Sequence, residues 1–372
     1  MKRKFSDWVT VIVFCGFLGI MCLLLFLLPK ETFSEYEKRY LAQNPVLSLD
    51  SVSSGQFGED AESYMADHVP GRDFFVGLNA YFELYTGRQI AKDVYTAGDR
   101  LVEVPVQWNE SQILKNHSAI QKFSELIQMK PDLMIVPSAG WAVEDTIDGL
   151  ADPYCDEEII ANIAETFGDC TNVVDVVTPF SKLDKSSLYF KTDHHWTSLG
   201  AHTAYAAYME SLGRTYPEKA FFEIETVDGF KGSTYSRSAL WLTPEEKLEL
   251  WHGSKGLLVT NSDMDAVHEG VFYRERLTEA DKYTVYLDGN HPLVRIENPN
   301  ASGKGKILVI RDSYSSCLGP FLAESYETVV LVDLRYYKDA VSELCQQEVF
   351  DNVLICYSIG NFMTDTNLVW LR

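Results

Sequence analysis

The sequence of 372 residues predicts an α/β protein with a mostly parallel sheet and helices on both of its faces. The main observation is a series of short apolar runs, typical of buried strands, at 133–136, 173–176, 307–310, 329–332 and 353–356. Segments with helical spacing or a capping residue separate these runs, at 109–128, 198–212 and 315–324. Sheets of this kind place active sites beyond the carboxyl ends of strands, so the residues that follow each strand are the first candidates.

The composition is that of a globular protein, with 46% hydrophobic and 23% charged residues. A protein with a net charge of -22 repels nucleic acid, so no nucleic-acid partner is predicted. The charge need not reflect any partner, because a role in keeping the protein soluble explains it equally well. No two of the seven cysteines are spaced as Cys-x-x-Cys, so the sequence does not indicate a zinc ribbon or a thioredoxin-type site. If the body is exported, Cys155 and Cys170 are expected to form a disulfide across a short segment.

The N-terminal region predicts one membrane crossing. Residues 8–28 carry no charge and would form about 31 Å of helix, enough to cross a bilayer. Lys2, Arg3 and Lys4 precede this run, so the positive-inside rule predicts a cytoplasmic tail at 1–7 and an extracytoplasmic body on a single-pass anchor in the cell membrane. A cleaved signal peptide is the competing interpretation, but the apolar run is long and no Ala-x-Ala site follows.

The remaining chain divides into two parts. Residues 29–100 have helical spacing at 58–65 and 74–85 and are interpreted as a helical stalk or cap. Residues 101–372 form the main domain. The stretch at about 214–303 is polar, aromatic and rich in turns, and we interpret it as an insertion over the active-site edge.

Ser313 follows the apolar run 307–310 and precedes a helical segment, so it lies at a predicted strand-to-helix turn. A serine in such a turn projects its hydroxyl beside the free N–H groups at the helix start, where an oxyanion is best stabilised. The competing interpretation is that Asp312 or Ser313 merely caps the helix.

Residues 189–197 supply the groups that would activate Ser313. If the stretch is extended, Asp193 and His195 project to one side, while His194 and Trp196 project to the other and pack behind the site. Ser313 would then be the nucleophile, His195 its base, and Asp193 the group that orients the imidazole. A zinc site formed by these residues with His202 is the rival, but adjacent histidines on an extended segment point apart, so no metal is predicted.

Oxyanion donors are expected from the backbone N–H groups of Ser313 or Tyr314, because both lie at the helix start. Asn290 and Asn361 each follow a glycine, and a Gly-Asn loop could bring an amide near the oxyanion. Asn290 is the favoured donor of the two. Either Gly-Asn pair could instead form an ordinary turn. Arg311 is interpreted as a buried structural charge paired with a carboxylate, or as a group that binds an anionic sugar.

Three strings together resemble the DHHW family of bacterial surface proteins, which is related to the SGNH-hydrolase-like alginate O-acetyltransferases. They are Asp193-His194-His195-Trp196 with the following Thr-x-x-Gly-Ala, Gly289-Asn290-His291-Pro292, and Arg311-Asp312-Ser313-Tyr314-Ser315. In these relatives the aspartate and histidine come from an Asp-x-His-Trp string and the serine from a later Ser-Tyr-Ser string. Those positions fall here on Asp193, His195 and Ser313.

The resemblance implies an SGNH-hydrolase-like three-layer sandwich, and the order of its motifs implies a circularly permuted domain. It also implies O-acetylation of an exported or cell-wall polysaccharide without a cofactor, with a membrane-bound O-acyltransferase as partner and acetyl source. Two alternatives stay open, a surface carbohydrate esterase with the same triad and a non-catalytic glycan-binding or scaffolding protein.

Overall fold

The computed structural model describes residues 5–34, 39–147 and 149–372. It divides into two compact units, one made of Met1–Ala91 with Ser236–Trp241 and the other of Lys92–Tyr235 with Leu242–Arg372. The helices are α1 (Phe5–Leu27), α2 (Leu49–Ser54), α3 (Gln56–His68), α4 (Arg72–Tyr85), α5 (Glu110–Ile127), α6 (Ala139–Val143), α7 (Asp156–Phe167), α8 (Val177–Ser181), α9 (Ser198–Ser211), α10 (Ser233–Ser238), α11 (Ser315–Ser325), α12 (Val341–Gln347) and α13 (Ile359–Thr364).

The strands of the described residues are short. They are β1 (Phe33–Ser34), β2 (Arg39–Tyr40), β3 (Ile90–Ala91), β4 (Val94–Ala97), β5 (Arg100–Glu103), β6 (Asp132–Val136), β7 (Asn172–Val173), β8 (Glu223–Phe230), β9 (Glu246–His252), β10 (Leu258–Asn261), β11 (Val267–Glu269), β12 (Leu293–Glu297), β13 (Lys306–Arg311), β14 (Thr328–Asp333) and β15 (Asn352–Ser358). Four of the five apolar runs predicted as strands lie at strands of the structure, with ends that differ by a few residues. The run at 173–176 shares only Val173 with the two-residue strand β7.

Helix α1 carries the predicted membrane span. Its segment Asp7–Leu27 is long and apolar enough to cross a bilayer, with a mean hydropathy of 2.8, and the protein buries none of it. The basic residues Lys2, Arg3 and Lys4, on which the predicted orientation rests, lie outside the described residues.

The second unit is built on an eight-stranded sheet of order β11-β10-β12-β14-β13-β15-β6-β7. Strands β14, β13, β15, β6 and β7 are parallel, as predicted. Strands β12, β10 and β11 are antiparallel to their neighbours, so the sheet is mixed rather than parallel throughout. These three strands lie within the predicted insertion. The stretch interpreted as an insertion therefore adds strands to the sheet. The sequence did not predict this, because these strands are short and contain polar residues.

The core of this unit lies against both faces of the sheet. On one face, Leu308, Ile310 and Val330 belong to a buried cluster with side chains from α5 and α7, among them Phe123 and Phe167. On the other face, α11 packs so closely that a Cβ on Gly319 would be 3.1 Å from the Leu331 side chain. Because β13 is covered on both sides, its residues Ile307–Ile310 are fully buried, each side chain contributing about 1.5–3 kcal/mol.

The expected disulfide is absent, which corrects the prediction. Cys155 is exposed just before α7, whereas Cys170 is buried just after it, and both thiols are free. A helix of 12 residues is about 18 Å long, far more than the Cα separation that a disulfide allows.

A charged cluster joins β12, β13 and the end of α12. Arg295 donates two hydrogen bonds to the Glu348 carboxylate, at 3.1 and 2.6 Å, and Lys306 donates a third at 2.8 Å. Arg295 first, and then Lys306, lower the pKa of Glu348 to about 2. A carboxylate whose pKa is lowered by folding stabilises the folded state above its unfolded pKa, and this contribution is lost as the pH falls from about 4.5 towards 2.

We therefore expect Glu348→Gln to lower the free energy of unfolding by about 1–2 kcal/mol at pH 7. The difference from the unchanged protein should shrink below pH 4.5 and vanish near pH 2, as followed by urea unfolding at a series of pH values. Glu297→Gln, at an exposed position on β12, is the matched control and should change little. A Glu348→Gln effect that is the same at every pH would contradict the assignment.

Candidate active site

Ser313 lies in the turn between β13 and α11, at the carboxyl edge of the parallel strands. Neither Asp312 nor Ser313 is the N-cap of α11, because that position is Tyr314, which has no side-chain capping bond. Asp312 instead holds the turn. Its Oδ1 accepts from the backbone N–H of Tyr314 at 3.0 Å, and its Oδ2 accepts from the N–H of Ser358 and the side-chain amide of Asn361, both at 2.8 Å. Asp312 thus ties the turn to the end of β15, and the half-buried Ser313 keeps its hydroxyl available.

The stretch that carries Asp193 and His195 is a loop of bends rather than the extended strand that was assumed. An isolated bridge between Tyr189 and Trp196 closes the loop, and the N–H of His195 donates to Asp193 Oδ1 at 2.9 Å. This local bond curls the chain, because an aspartate side chain readily accepts from a backbone N–H two residues on. The loop still brings the aspartate and the second histidine together.

The structure places the three predicted residues in one hydrogen-bonded chain. His195 Nε2 lies 2.7 Å from Ser313 Oγ, and His195 Nδ1 lies 2.5 Å from Asp193 Oδ1. Asp193 and His195 are almost completely buried. In this arrangement the carboxylate holds a proton on Nδ1 and leaves Nε2 free to accept the serine proton. The geometry suits nucleophilic catalysis, and the catalytic roles remain a prediction.

His194 does not face away from the site, contrary to the expectation from strand alternation. Its ring centroid lies 3.9 Å from that of His195, and its Nδ1 lies 2.5 Å from Ser233 Oγ. The loop curls instead of extending, so consecutive side chains do not point to opposite faces. Burial, followed by the nearby His195, lowers the pKa of His194, which favours a neutral ring beside the base.

Gly232 and Ser233, which the sequence did not single out, hold Asp193 from its other side. The N–H of Ser233 donates to Asp193 Oδ2 at 2.6 Å. A Cβ on Gly232 would lie 2.1 Å from the Asp193 Cβ, so only glycine fits there. Both residues lie in the stretch interpreted as an insertion. The only feature of the sequence that could have indicated their role is a Gly-Ser pair in a turn-rich segment.

Glu246 and Tyr283 are two further residues that the sequence did not indicate. Glu246 accepts from the backbone N–H groups of Lys191 and Thr192, at 2.8 and 2.6 Å, and so anchors the loop just before Asp193. Burial raises the pKa of Glu246. The Tyr283 ring stacks on His195 with centroids 3.8 Å apart and planes 9° apart, which fixes the plane of the imidazole.

The predicted oxyanion donors are corrected in part. The N–H of Tyr314 is already bonded to Asp312, and its hydroxyl donates to the carbonyl of His194, so Tyr314 has no free donor to offer. Asn290 is exposed, and no hydrogen bond among the described residues joins it to Ser313. The N–H of Ser313 has no partner among the described residues, so of the two backbone donors considered it alone stays available.

Arg311 is fully buried, so it does not reach a sugar directly. Its Nη1 donates to Ser316 Oγ at 2.7 Å, and its Nη2 donates to the carbonyl of Gly289 at 3.4 Å. Burial lowers the pKa of Arg311, while the nearby charge of Asp333 opposes that effect. Burial thus fits a structural role and not a sugar contact. The predicted partner carboxylate is not in hydrogen-bond contact with Arg311 among the described residues, because Asp333 pairs with Arg335 instead.

Asp193, His194 and His195 bring ligand atoms within 4.8 Å of one another, which is a spacing that a metal ion could use. The closest pair among these atoms, His195 Nδ1 and Asp193 Oδ1, is already engaged in a hydrogen bond. Asp193 Oδ2 also accepts from the backbone of Ser233. A metal would have to break the aspartate–histidine contact, so these groups fit proton transfer better than coordination.

A serine, a histidine and an aspartate joined by hydrogen bonds at the edge of a mixed α/β sheet form a candidate nucleophilic site. The model of the DHHW protein family matches residues 161–332, which include all three residues. This match confirms, over that stretch, the resemblance to the DHHW family that the three sequence strings indicate. None of the curated proteins matches the chain in sequence.

Solved structures share the fold. A DHHW family protein from Eubacterium siraeum is 20% identical, with 76% of this chain and 95% of that chain covered and a TM-score of 0.66. PatB1 of Bacillus cereus, solved with a sulfonyl adduct, is 21% identical, with 73% and 96% covered and a TM-score of 0.62. At these identities the likeness establishes the fold alone. The O-acetyltransferase domain of Pseudomonas putida AlgJ is 12% identical, with 75% of this chain and 95% of that chain covered and a TM-score of 0.49.

Proposed function

We propose that this protein is an extracytoplasmic O-acetyltransferase that acetylates an exported or cell-wall polysaccharide through an acetyl ester on Ser313. The proposal rests on two consecutive hydrogen bonds, 2.7 Å between Ser313 Oγ and His195 Nε2 and 2.5 Å between His195 Nδ1 and Asp193 Oδ1. The resemblance of the motif strings to relatives of the alginate O-acetyltransferases supports acetyl as the group and a polysaccharide as the acceptor. An SGNH-hydrolase-like, permuted arrangement of the domain is part of the same proposal.

In the first half of the reaction, His195 Nε2 takes the proton of Ser313 while Oγ attacks the carbonyl carbon of an acetyl donor. In this proposal the N–H of Ser313 stabilises the oxyanion. Asp193 stabilises the imidazolium that forms. The donor oxygen then leaves with the proton from His195, and Ser313 carries the acetyl ester.

In the second half, a sugar hydroxyl replaces the donor. His195 removes its proton as the sugar oxygen attacks the acetyl carbonyl, and the same proton returns to Ser313 Oγ when the ester is cleaved. The products are the O-acetyl sugar and free Ser313. Since every step is a proton or acyl transfer, the mechanism needs no cofactor.

The proposed setting is the outer side of the cell membrane, with α1 as anchor. An acetyl donor on that side requires delivery across the bilayer. We therefore include in the proposal a membrane-bound O-acyltransferase as partner, which would pass acetyl groups to Ser313.

The test is acetyl transfer from an aryl acetate to chitotetraose, with the acetylated sugar and free acetate measured separately. We expect acetylated sugar to form at the expense of free acetate as the sugar concentration rises. Acetate release that the sugar does not affect would instead assign the protein as an esterase. Loss of both products, with aryl acetate left intact, would favour the non-catalytic alternative.

A further inference from the structure

Helix α4 (Arg72–Tyr85), in the first unit, has an apolar face that the protein leaves in contact with solvent. At about 100° per residue, five of its side chains fall within one arc of about 100°. Their exposed fractions run from 42% to 85%. These residues, the aromatic stripe, are Phe74, Phe75, Leu78, Phe82 and Tyr85.

Phe74 contributes to the packing of α4 within its own unit, because its ring stacks on that of Trp241 with centroids 5.8 Å apart. The other four residues of the stripe lie away from the face by which α4 packs. That packing face carries Gly77 and Ala80, both buried, and a Cβ on Gly77 would lie 2.0 Å from the Trp241 ring. Asn79 and Glu83 lie on the polar side of the helix, between the stripe and the packing face. Phe75, Leu78, Phe82 and Tyr85 nevertheless expose a contiguous apolar surface, and a surface of this kind usually marks an interaction site.

We propose that the aromatic stripe lies in the outer interface of the lipid bilayer that α1 (Phe5–Leu27) crosses. The stripe belongs to the same compact unit as α1. Four of its five residues are aromatic, and aromatic rings are enriched at the level of the lipid headgroups. The first unit would then contact the membrane surface through the stripe, in addition to its attachment through α1.

Contacts within the unit keep α4 close to the point where the chain leaves α1. The N–H of Ala42 donates to Asp67 at 2.8 Å, and its carbonyl lies 2.9 Å from His68 Nε2, which joins the chain after α1 to the end of α3 (Gln56–His68). Leu28, Pro29 and Phe74 all line one cavity of about 240 Å³. Because the membrane-spanning segment ends at Leu27, residues that share a cavity with Leu28 lie at the bilayer surface.

The chemistry of the stripe favours neutral lipid over a charged partner. It contains no charged side chain, so its contact with lipid would rest on apolar area alone. The chain as a whole carries a charge of -22, which disfavours attraction to anionic headgroups. We therefore choose phosphatidylcholine as the lipid in the test.

The experiment places a nitroxide label on the full chain, reconstituted in phosphatidylcholine nanodiscs, at single cysteines introduced as Leu78→Cys, Phe82→Cys and Asn79→Cys. The native Cys15, Cys22, Cys155 and Cys345 are replaced first, and the melting temperature of each labelled chain is compared with that of the unlabelled chain. Relaxation of each label by oxygen, which concentrates in lipid, and by a nickel chelate, which stays in water, is then measured.

We expect the labels at Leu78 and Phe82 to be relaxed by oxygen and protected from nickel, while the label at Asn79, one residue away but outside the stripe, is relaxed by nickel. Equal nickel relaxation at all three positions would overturn the proposal. Protection of the stripe labels from both reagents would also overturn it, because protein, either a second copy of the chain or another partner, would then cover the stripe. A chain that does not insert into nanodiscs would overturn it as well.

Discussion

Replacing Ser313 by Ala is expected to abolish acetyl transfer and the acyl-enzyme, and replacing His195 by Ala should cost about as much. The residues of a triad act as a unit, so their losses do not add. Asp193→Asn should retain the fold but lower turnover by about 10⁴-fold, because an amide favours the imidazole tautomer with its proton on the wrong nitrogen. The measurement is turnover of an aryl acetate by each purified variant.

Two controls separate lost chemistry from lost folding. Ser302→Ala, at an exposed serine shortly before β13, should retain full activity. A melting curve for every variant should show that the inactive proteins are folded. Full activity of a folded Ser313→Ala variant would rule out the proposed nucleophile.

Replacing Gly232 by Ala should lower turnover strongly, although less than the replacement of a triad residue. The added Cβ would lie 2.1 Å from the Cβ of Asp193 and 2.2 Å from its Oδ2, and a clash with a Cβ cannot be relieved by a side-chain rotation. Asp193 must therefore shift relative to His195. A displacement of about 1 Å in a catalytic arrangement can cost about 10²-fold in rate, so we expect that loss in turnover together with a lower melting temperature.

The matched control is Gly58→Ala, within helix α3. A Cβ there would have no neighbour within 4 Å. In a helix interior this change should leave activity unchanged and stability equal or slightly higher. If Gly232→Ala had the turnover and melting temperature of the unchanged protein, Gly232 would not position Asp193.

The parallel part of the fold could be predicted because buried strands leave a strong local signal. The run Ile307–Ile310 is continuous, apolar and mostly β-branched, and the strands on either side of it in the sheet contain similar apolar runs. The antiparallel strands β10, β11 and β12 could not be recognised, because they are short, carry polar side chains, and owe their place in the sheet to partners distant in sequence.

The candidate site was predictable where chemistry and spacing coincide in one string, as for Asp193 and His195. It was not predictable where contact depends on folding of separate segments. The turn at Gly232 and the ring of Tyr283 reach the site from other parts of the chain, and nothing in their local sequence indicates this. The prediction for His194 was wrong because the loop curls, so the strand geometry assumed for it does not apply.

In the proposed mechanism, Ser313 carries the acetyl group during transfer. The most direct test is to mix the protein with an aryl acetate, stop the reaction with acid within one turnover, and locate any added acetyl group by mass spectrometry of peptides. The proposed mechanism predicts one acetyl group on the peptide that contains Ser313, which disappears when chitotetraose is added before the acid, and no such group in Ser313→Ala. Product formation with an unmodified Ser313 peptide, or with the acetyl group on another residue, would contradict it.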